Sequence, residues 1–194
     1  MSDKIAVTSQ PILDAIAKRW SPRAFADKPI SADTLTTLFE AARWTASAFN
    51  EQPWRFIVGS KDNPEAHKKV LSCFMGFNQE WGAAAPVVLL AVASTQFTRN
   101  DKVNNHAWYD VGQAMSALSI QAAALDLYIH QMAGIDPEKA IDVFSIPEGF
   151  QPVTGAAIGY LGDPAQLSDQ MKEREQASRE RKALSEIVFQ GEWG

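Results

Sequence analysis

Two short segments of the chain carry residue types that could bind an anionic or heterocyclic ligand. The first, RWSPRAF at residues 19–25, places two guanidinium groups and a serine hydroxyl within one short turn, a combination suited to a phosphate. The second, ASAFNEQPWRF at residues 46–56, carries Asn50 and Gln52, whose amides can donate to and accept from a planar heterocycle. Taken singly, the first is better explained by surface arginines beside a helix C-terminus, and the second by an ordinary helix-to-strand loop.

Together, the two segments resemble the nitroreductase family of FMN-dependent oxidoreductases. That family typically opens with an R-R-S-x-R-x-F pattern and continues with A-R-x-A-P-S-x-x-N-x-Q-P-W-x-F, where this chain reads RWSPRAF and ARWTASAFNEQPWRF. The resemblance continues in family order through residues 76–91, 106–127 and 156–162 to the C-terminal SRERKALSEIVFQGEWG. It covers nearly the whole chain, and we expect residues 1–194 to form a single nitroreductase-like domain.

The resemblance implies FMN contacts from several separate segments. They come from Arg19, Trp20, Ser21, Arg23, Ala46, Ser47, Ala48, Asn50, Asn78, Gln131, Met132, Ala133, Gly134, Arg179 and Arg181. In the family, the first motif and the C-terminal arginine pair hold the phosphate, and a basic residue matched by Arg23 lies at the pyrimidine edge of the ring. A cation there stabilises the negative charge that reduction leaves on that edge.

The remaining segments have other roles in the family. The asparagine matched by Asn78 bonds the pyrimidine ring, and the backbone of residues 131–134 reaches the ring nitrogen that accepts hydride. Residues 46–50 contact the flavin of the partner subunit. The chain departs from the family in Trp20, where a basic residue is usual, in Trp81, where some members have Lys, and in Ala46, where Pro is usual.

The resemblance also implies a reaction and an assembly. NAD(P)H passes hydride to FMN and leaves, and a nitroaromatic, a quinone or a similar acceptor then takes its place, by a ping-pong mechanism. The flavin performs the chemistry, so no catalytic side chain is named. We expect His106 and Trp108 to shape the substrate pocket of an intertwined homodimer. Two alternatives stay open: a specialised member of the fold that does not use NAD(P)H, and a flavin-binding or storage protein without turnover.

The elements that must position these residues are predicted to be interspersed helices and strands. Helical spacing and capping signals predict a short helix capped by Ser9, a second capped by Ser31, and others from Pro64 toward Met75, over residues 109–127 and over residues 137–144. Strands are predicted over residues 54–60, 87–93, 128–131 and 153–160. The charge run KEREQASRERK is expected to be a solvated helix or loop. The expected class is α+β, with a small central sheet surrounded by helices.

Composition excludes several classes of protein. The chain has 194 residues, of which 46% are hydrophobic and 21% charged, which fits one soluble globular domain. A net charge of −5 argues against a nucleic-acid partner. Cys73 is the single cysteine, and the three histidines lie far apart, so we expect neither an internal disulfide nor a metal site. With no signal peptide or membrane-spanning run in the sequence, we expect a cytoplasmic protein.

Overall fold

The computed structural model describes residues 4–193 and has an α+β architecture, as predicted. Its antiparallel sheet has the strand order β1-β2-β4-β3, with β1 at Trp54–Ser60, β2 at Val87–Ser94, β3 at Tyr128–Met132 and β4 at Phe150–Gly159. The α-helices are α1 Asp14–Lys18, α2 Ala32–Arg43, α3 Pro64–Leu71, α4 Phe77–Gly82, α5 Ala107–Ala124, α6 Pro137–Phe144 and α7 Asp169–Gln176.

Strand β2 divides the core into two layers. All eight of its residues are buried, and alternate side chains point to opposite faces of the sheet. Val87 and Leu89 pack with helices α2 and α5 on one face, whereas Val88 and Leu90 pack with α3, α4 and α6 on the other. A continuous apolar run is therefore required here, because both faces of the strand are covered.

Most predicted elements are confirmed, and apart from the missed helix α4 the errors concern their ends. Ser31 caps α2 as predicted, since its Oγ accepts the Thr34 N–H at 3.2 Å. Ser9 does not cap α1, which begins at Asp14, because Pro11 disfavours helical geometry in the residue before it. Helix α3 ends at Leu71 rather than near Met75, and α4 lies where no separate helix was predicted. Helix α7 overlaps the charge run that was expected to be a solvated helix or loop.

Two expectations about the whole chain stay predictions. Among residues 4–193, no helix is both long enough and apolar enough to cross a membrane. The cytoplasmic location is not tested by that finding. The organisation of residues 1–194 as one domain is likewise not tested.

Candidate functional site

The candidate site lies along β3, at one edge of the sheet. The RWSPRAF segment follows α1 and runs beside this strand, where Nδ1 of His130 donates to the Pro22 carbonyl at 2.9 Å. The ring of Trp20 packs edge-on against Tyr128, with 6.2 Å between centroids. The Trp20 side chain thus contacts β3.

Three arginines from opposite ends of the chain converge beside this segment. Burial lowers the pKa of the Arg19 guanidinium, and the nearby charges of Arg179 and Arg181 lower it further. None of these three guanidiniums has a carboxylate oxygen within 4.0 Å among residues 4–193, where the ion pairs are formed by Arg43, Lys61 and Lys172. Nη1 of Arg19 also lies 3.4 Å from Ser21 Oγ. Such uncompensated cations beside a hydroxyl form a donor set that suits a phosphate.

Arg179 also ties the two ends of the chain together. Its Nη1 donates to the Lys4 carbonyl at 2.6 Å and to the Ala17 carbonyl at 2.9 Å. Ala17 lies in the last turn of α1, where backbone carbonyls lack helical partners. Only Nη1 of Arg179 takes part in hydrogen bonds among residues 4–193, so its other N–H groups stay available to an anion.

Arg23 is held in the same segment by a carboxylate from α7. The Arg23 N–H donates to both oxygens of Glu175, at 3.0 and 2.8 Å, and the Ala24 N–H donates to Oε1 at 3.1 Å. Burial lowers the pKa of the Arg23 guanidinium, and the charge of Glu175 opposes that effect. The guanidinium itself makes no hydrogen bond among the described residues, so its donors are available to a ligand.

Asn78 meets the loop that follows β3. Its Nδ2 donates to the Gly134 carbonyl at 3.2 Å, and the Met75 N–H donates to the same oxygen at 2.9 Å. A Cβ at position 134 would collide with Nδ2 of Asn78, so glycine is needed for this close approach. The arrangement leaves Oδ1 of Asn78 free to accept from a heterocycle.

The side chains of Gln131 and Met132 are engaged elsewhere in the protein. The Gln131 side chain points to α5, where its Nε2 donates to the Met115 carbonyl at 3.3 Å and to Ser119 Oγ at 3.0 Å. The Met132 side chain is buried. The backbone of this segment is therefore the part that could face a ligand, as the resemblance implies.

The loop at residues 46–50 lies away from the arginines. The Ala48 N–H donates to Oδ2 of Asp110 at 3.1 Å, at the N-terminal end of α5, whereas Trp20 packs beyond the C-terminal end of that helix. From Asp110 to the end of α5 at Ala124, the helix rises about 21 Å at about 1.5 Å per residue. The single chain therefore holds this loop, with Ala46, Ser47 and Asn50, at the opposite end of α5 from the RWSPRAF segment. His106 and Trp108 also lie at the N-terminal end of α5.

Two groups at the site, one buried and one half-buried, were not assigned a role from the sequence. Glu175 lies in the charge run that was expected to be solvated, yet it is only 3% exposed. Its spacing of four from the buried Met171 is the signal that could have placed both on one helix face. His130 is half-buried, and its ring packs against Trp81 with 4.5 Å between centroids while Nδ1 donates to the Pro22 carbonyl.

Comparison with known proteins gives the class to which this fold and site belong. Residues 16–160 match the family model described as the Nitroreductase family. The match covers more than half of the 194 residues, and the chain belongs to the nitroreductase family. The resemblance carried by the sequence motifs is thereby confirmed.

Individual relatives are similar over most of their length. The crystal structure of an oxidoreductase containing FMN superposes with a TM-score of 0.91 at 33% identity, covering 97% of this chain and 96% of that one. The major NAD(P)H-flavin oxidoreductase of Aliivibrio fischeri is 32% identical over an alignment 194 residues long. That alignment covers 78% of this chain and 88% of the relative. An FMN reductase of Bacillus subtilis that uses NAD(P)H is 22% identical over 169 residues, covering 78% and 66%.

Proposed function

We propose that this chain is an FMN-dependent oxidoreductase that transfers hydride from NAD(P)H to nitroaromatic, quinone or similar acceptors by a ping-pong mechanism. The observation that carries the proposal is the cluster of Arg19, Arg179 and Arg181, which has no carboxylate partner among residues 4–193. Family membership and the FMN named for a 33% identical relative agree with it. A resident anion is the simplest compensation for three adjacent cations.

The donor set fits FMN at both ends of the molecule. Arg19, Ser21, Arg179 and Arg181 would hold the phosphate through charge-assisted hydrogen bonds. Asn78 and the backbone of residues 131–134 would bond the ring, and they lie along the same strand edge. When bound, FMN supplies a ring that accepts hydride from a nicotinamide and passes it to an acceptor.

Arg23 would supply the electrostatic part of the mechanism. Its guanidinium stays charged throughout the physiological pH range, even though burial lowers its pKa. A fixed cation at the pyrimidine edge stabilises negative charge there without needing to reorient during the reaction. Because Trp81 stands where some relatives have Lys, Arg23 would provide this charge without that second cation.

We also propose that the functional unit is a homodimer. The loop at residues 46–50 lies at the far end of α5 from the arginine cluster, so it would complete the site of a second subunit rather than its own. Aromatic side chains near that loop are strongly exposed, with Trp44 at 77%, Phe49 at 71% and Tyr109 at 68%. Such exposed apolar groups are typical of a surface that meets a partner. Sedimentation velocity tests this point, and a monomer at micromolar concentration would contradict it.

A colour test separates the proposed reductase from the alternatives. The purified protein, reconstituted with FMN, is mixed with NADH or NADPH without oxygen and then with a quinone. We expect the yellow colour to bleach and then to return. Colour that persists after both nicotinamides would instead indicate a flavin-binding protein or a member that does not use NAD(P)H. Failure to bind FMN would refute the proposal, and the Arg19→Ala/Arg181→Ala variant serves as the weakly binding control.

A further inference from the structure

A buried carboxylate fixes the turn that carries Arg23. Glu175 accepts three hydrogen bonds from the N–H groups of Arg23 and Ala24, at 2.8–3.1 Å. It is 3% exposed, and among residues 4–193 it forms no ion pair within 4.0 Å. Burying a carboxylate is costly unless hydrogen bonds compensate, so these bonds stabilise the charge and the turn together.

The other side of the turn is held by His130. Its Nδ1 donates to the Pro22 carbonyl at 2.9 Å, and its ring is fixed against Trp81. The peptide groups on both sides of the Arg23 Cα are therefore bonded to β3 and to α7, which are distant in sequence. As a result, the Arg23 side chain starts from a fixed backbone position.

Glu175 also changes the charge that a ligand beside Arg23 would experience. Burial lowers the pKa of the Arg23 guanidinium, the Glu175 carboxylate opposes this effect, and Arg174 adds to the lowering. The carboxylate is thus within electrostatic reach of the guanidinium. Its negative charge partly cancels the positive potential that Arg23 creates on its ligand side.

We propose that Glu175 is a positioning residue that fixes Arg23 and lowers the reduction potential of the flavin bound beside it. This inference rests on the proposed function. Reduction places negative charge on the pyrimidine edge, and Arg23 favours that charge whereas Glu175 opposes it. The potential is therefore lower than Arg23 alone would give, which makes the reduced protein a stronger donor to its acceptor.

The test compares charge and geometry at position 175. Glu175→Gln keeps one oxygen for the two N–H groups and removes the charge, whereas Glu175→Ala removes both. Glu173→Gln removes the same charge from an exposed position on the same helix and is the matched control. The midpoint potential of the FMN-loaded protein is measured by spectroscopic redox titration, and FMN affinity by fluorescence titration of the apoprotein.

We expect Glu175→Gln to favour the reduced flavin about tenfold, which is about 30 mV for a two-electron couple. Glu175→Ala should in addition weaken FMN binding, because the turn is released. Glu173→Gln should change neither quantity. Glu175→Asp, which keeps the charge with a shorter reach, should hold the wild-type potential and bind FMN more weakly, and it keeps the test valid if Glu175→Gln does not fold.

The outcomes that overturn the inference are of two kinds and can be told apart. If wild-type protein binds FMN and Glu175→Gln leaves the potential unchanged, Glu175 is purely structural and this inference alone fails. This inference alone also fails if Glu173→Gln shifts the potential equally, or if Glu175→Asp shifts it as Glu175→Gln does. If wild-type protein binds no FMN, the proposed function fails, and this inference fails with it.

Discussion

Replacing Arg19 by alanine tests the proposed phosphate site most directly. The Arg19 guanidinium is partly buried, lies beside Ser21 Oγ, and carries a pKa lowered by burial and by two neighbouring arginines. A hydrogen bond to a charged group contributes about 1.5–3 kcal/mol. Loss of one such bond to the phosphate corresponds to roughly 10- to 150-fold weaker FMN binding at about 1.4 kcal/mol per tenfold.

The same substitution should have the opposite effect on the ligand-free protein. Arg19, Arg179 and Arg181 repel one another, because each is positively charged and none has a carboxylate partner among the described residues. Removing one charge relieves that repulsion, so the free energy of unfolding of the apoprotein should stay constant or rise. A structural arginine would instead leave a less stable apoprotein when removed.

The assay compares FMN with riboflavin, which has the same ring and lacks the phosphate. We expect Arg19→Ala to weaken FMN binding and leave riboflavin binding near the wild-type value, measured by quenching of flavin fluorescence. Lys172→Ala is the matched control, since Lys172 pairs with Asp169 on the exposed side of α7. Equal loss of both ligands, or full flavin occupancy in the Arg19→Ala/Arg181→Ala variant, would refute the phosphate assignment.

Three further substitutions test two contacts beside the site and the cap of helix α2. Gly134→Ala should displace Asn78, because the added Cβ collides with Nδ2, and should weaken riboflavin and FMN binding alike; unchanged binding would contradict the ring assignment. The pKa of His130 is lowered to about 4, chiefly by burial, against about 6.5 when unfolded. The unfolded chain therefore binds more protons between these values, and stability should fall by about 3 kcal/mol as pH decreases from about 6.5 to about 4. His130→Gln should flatten this dependence in chemical denaturation, and an unchanged slope would contradict the burial argument. Ser31→Ala should lower the free energy of unfolding by about 1 kcal/mol through loss of the bond to the Thr34 N–H, and a loss within error of zero would contradict the cap.

Local signals made most of the elements predictable. Helices α3 and α6 each begin with a proline that follows a capping Asn63 or Asp136, and both side chains accept the expected backbone N–H. Strand β2 was predictable because a short continuous run of apolar residues is typical of a strand whose two faces are both covered. The left-handed Asp126, with φ of 55°, follows the C-terminal end of α5, and nothing in the local sequence specified that end.

The site was predictable only where a motif marked it. The resemblance named Asn78 and Gly134 together, and the structure brings them into contact across 56 positions of sequence. It assigned the contact at residue 131 to the backbone, and it gave no sign that the Gln131 side chain bonds α5. The burial of Glu175 was not predicted because it depends on contacts with residues 23 and 24. The composition of a charge run carries no information about such contacts.

Segments from both ends of the chain meet at the cluster of Arg19, Arg179 and Arg181. Binding of a phosphate there should therefore also order these two segments. Arg179 bonds the carbonyls of Lys4 and Ala17, so the N-terminal segment, α1 and the C-terminal segment meet beside Arg19 and Arg181. Repulsion among the three guanidiniums opposes this meeting, and a bound phosphate dianion would reverse the sign of that contribution. A ligand that binds only the folded state stabilises it in proportion to ln(1 + [L]/Kd). On binding FMN, the largest gain in protection against amide hydrogen exchange should therefore fall on these terminal segments. An acidic chain thus brings three of its arginines together where one phosphate can order both terminal segments.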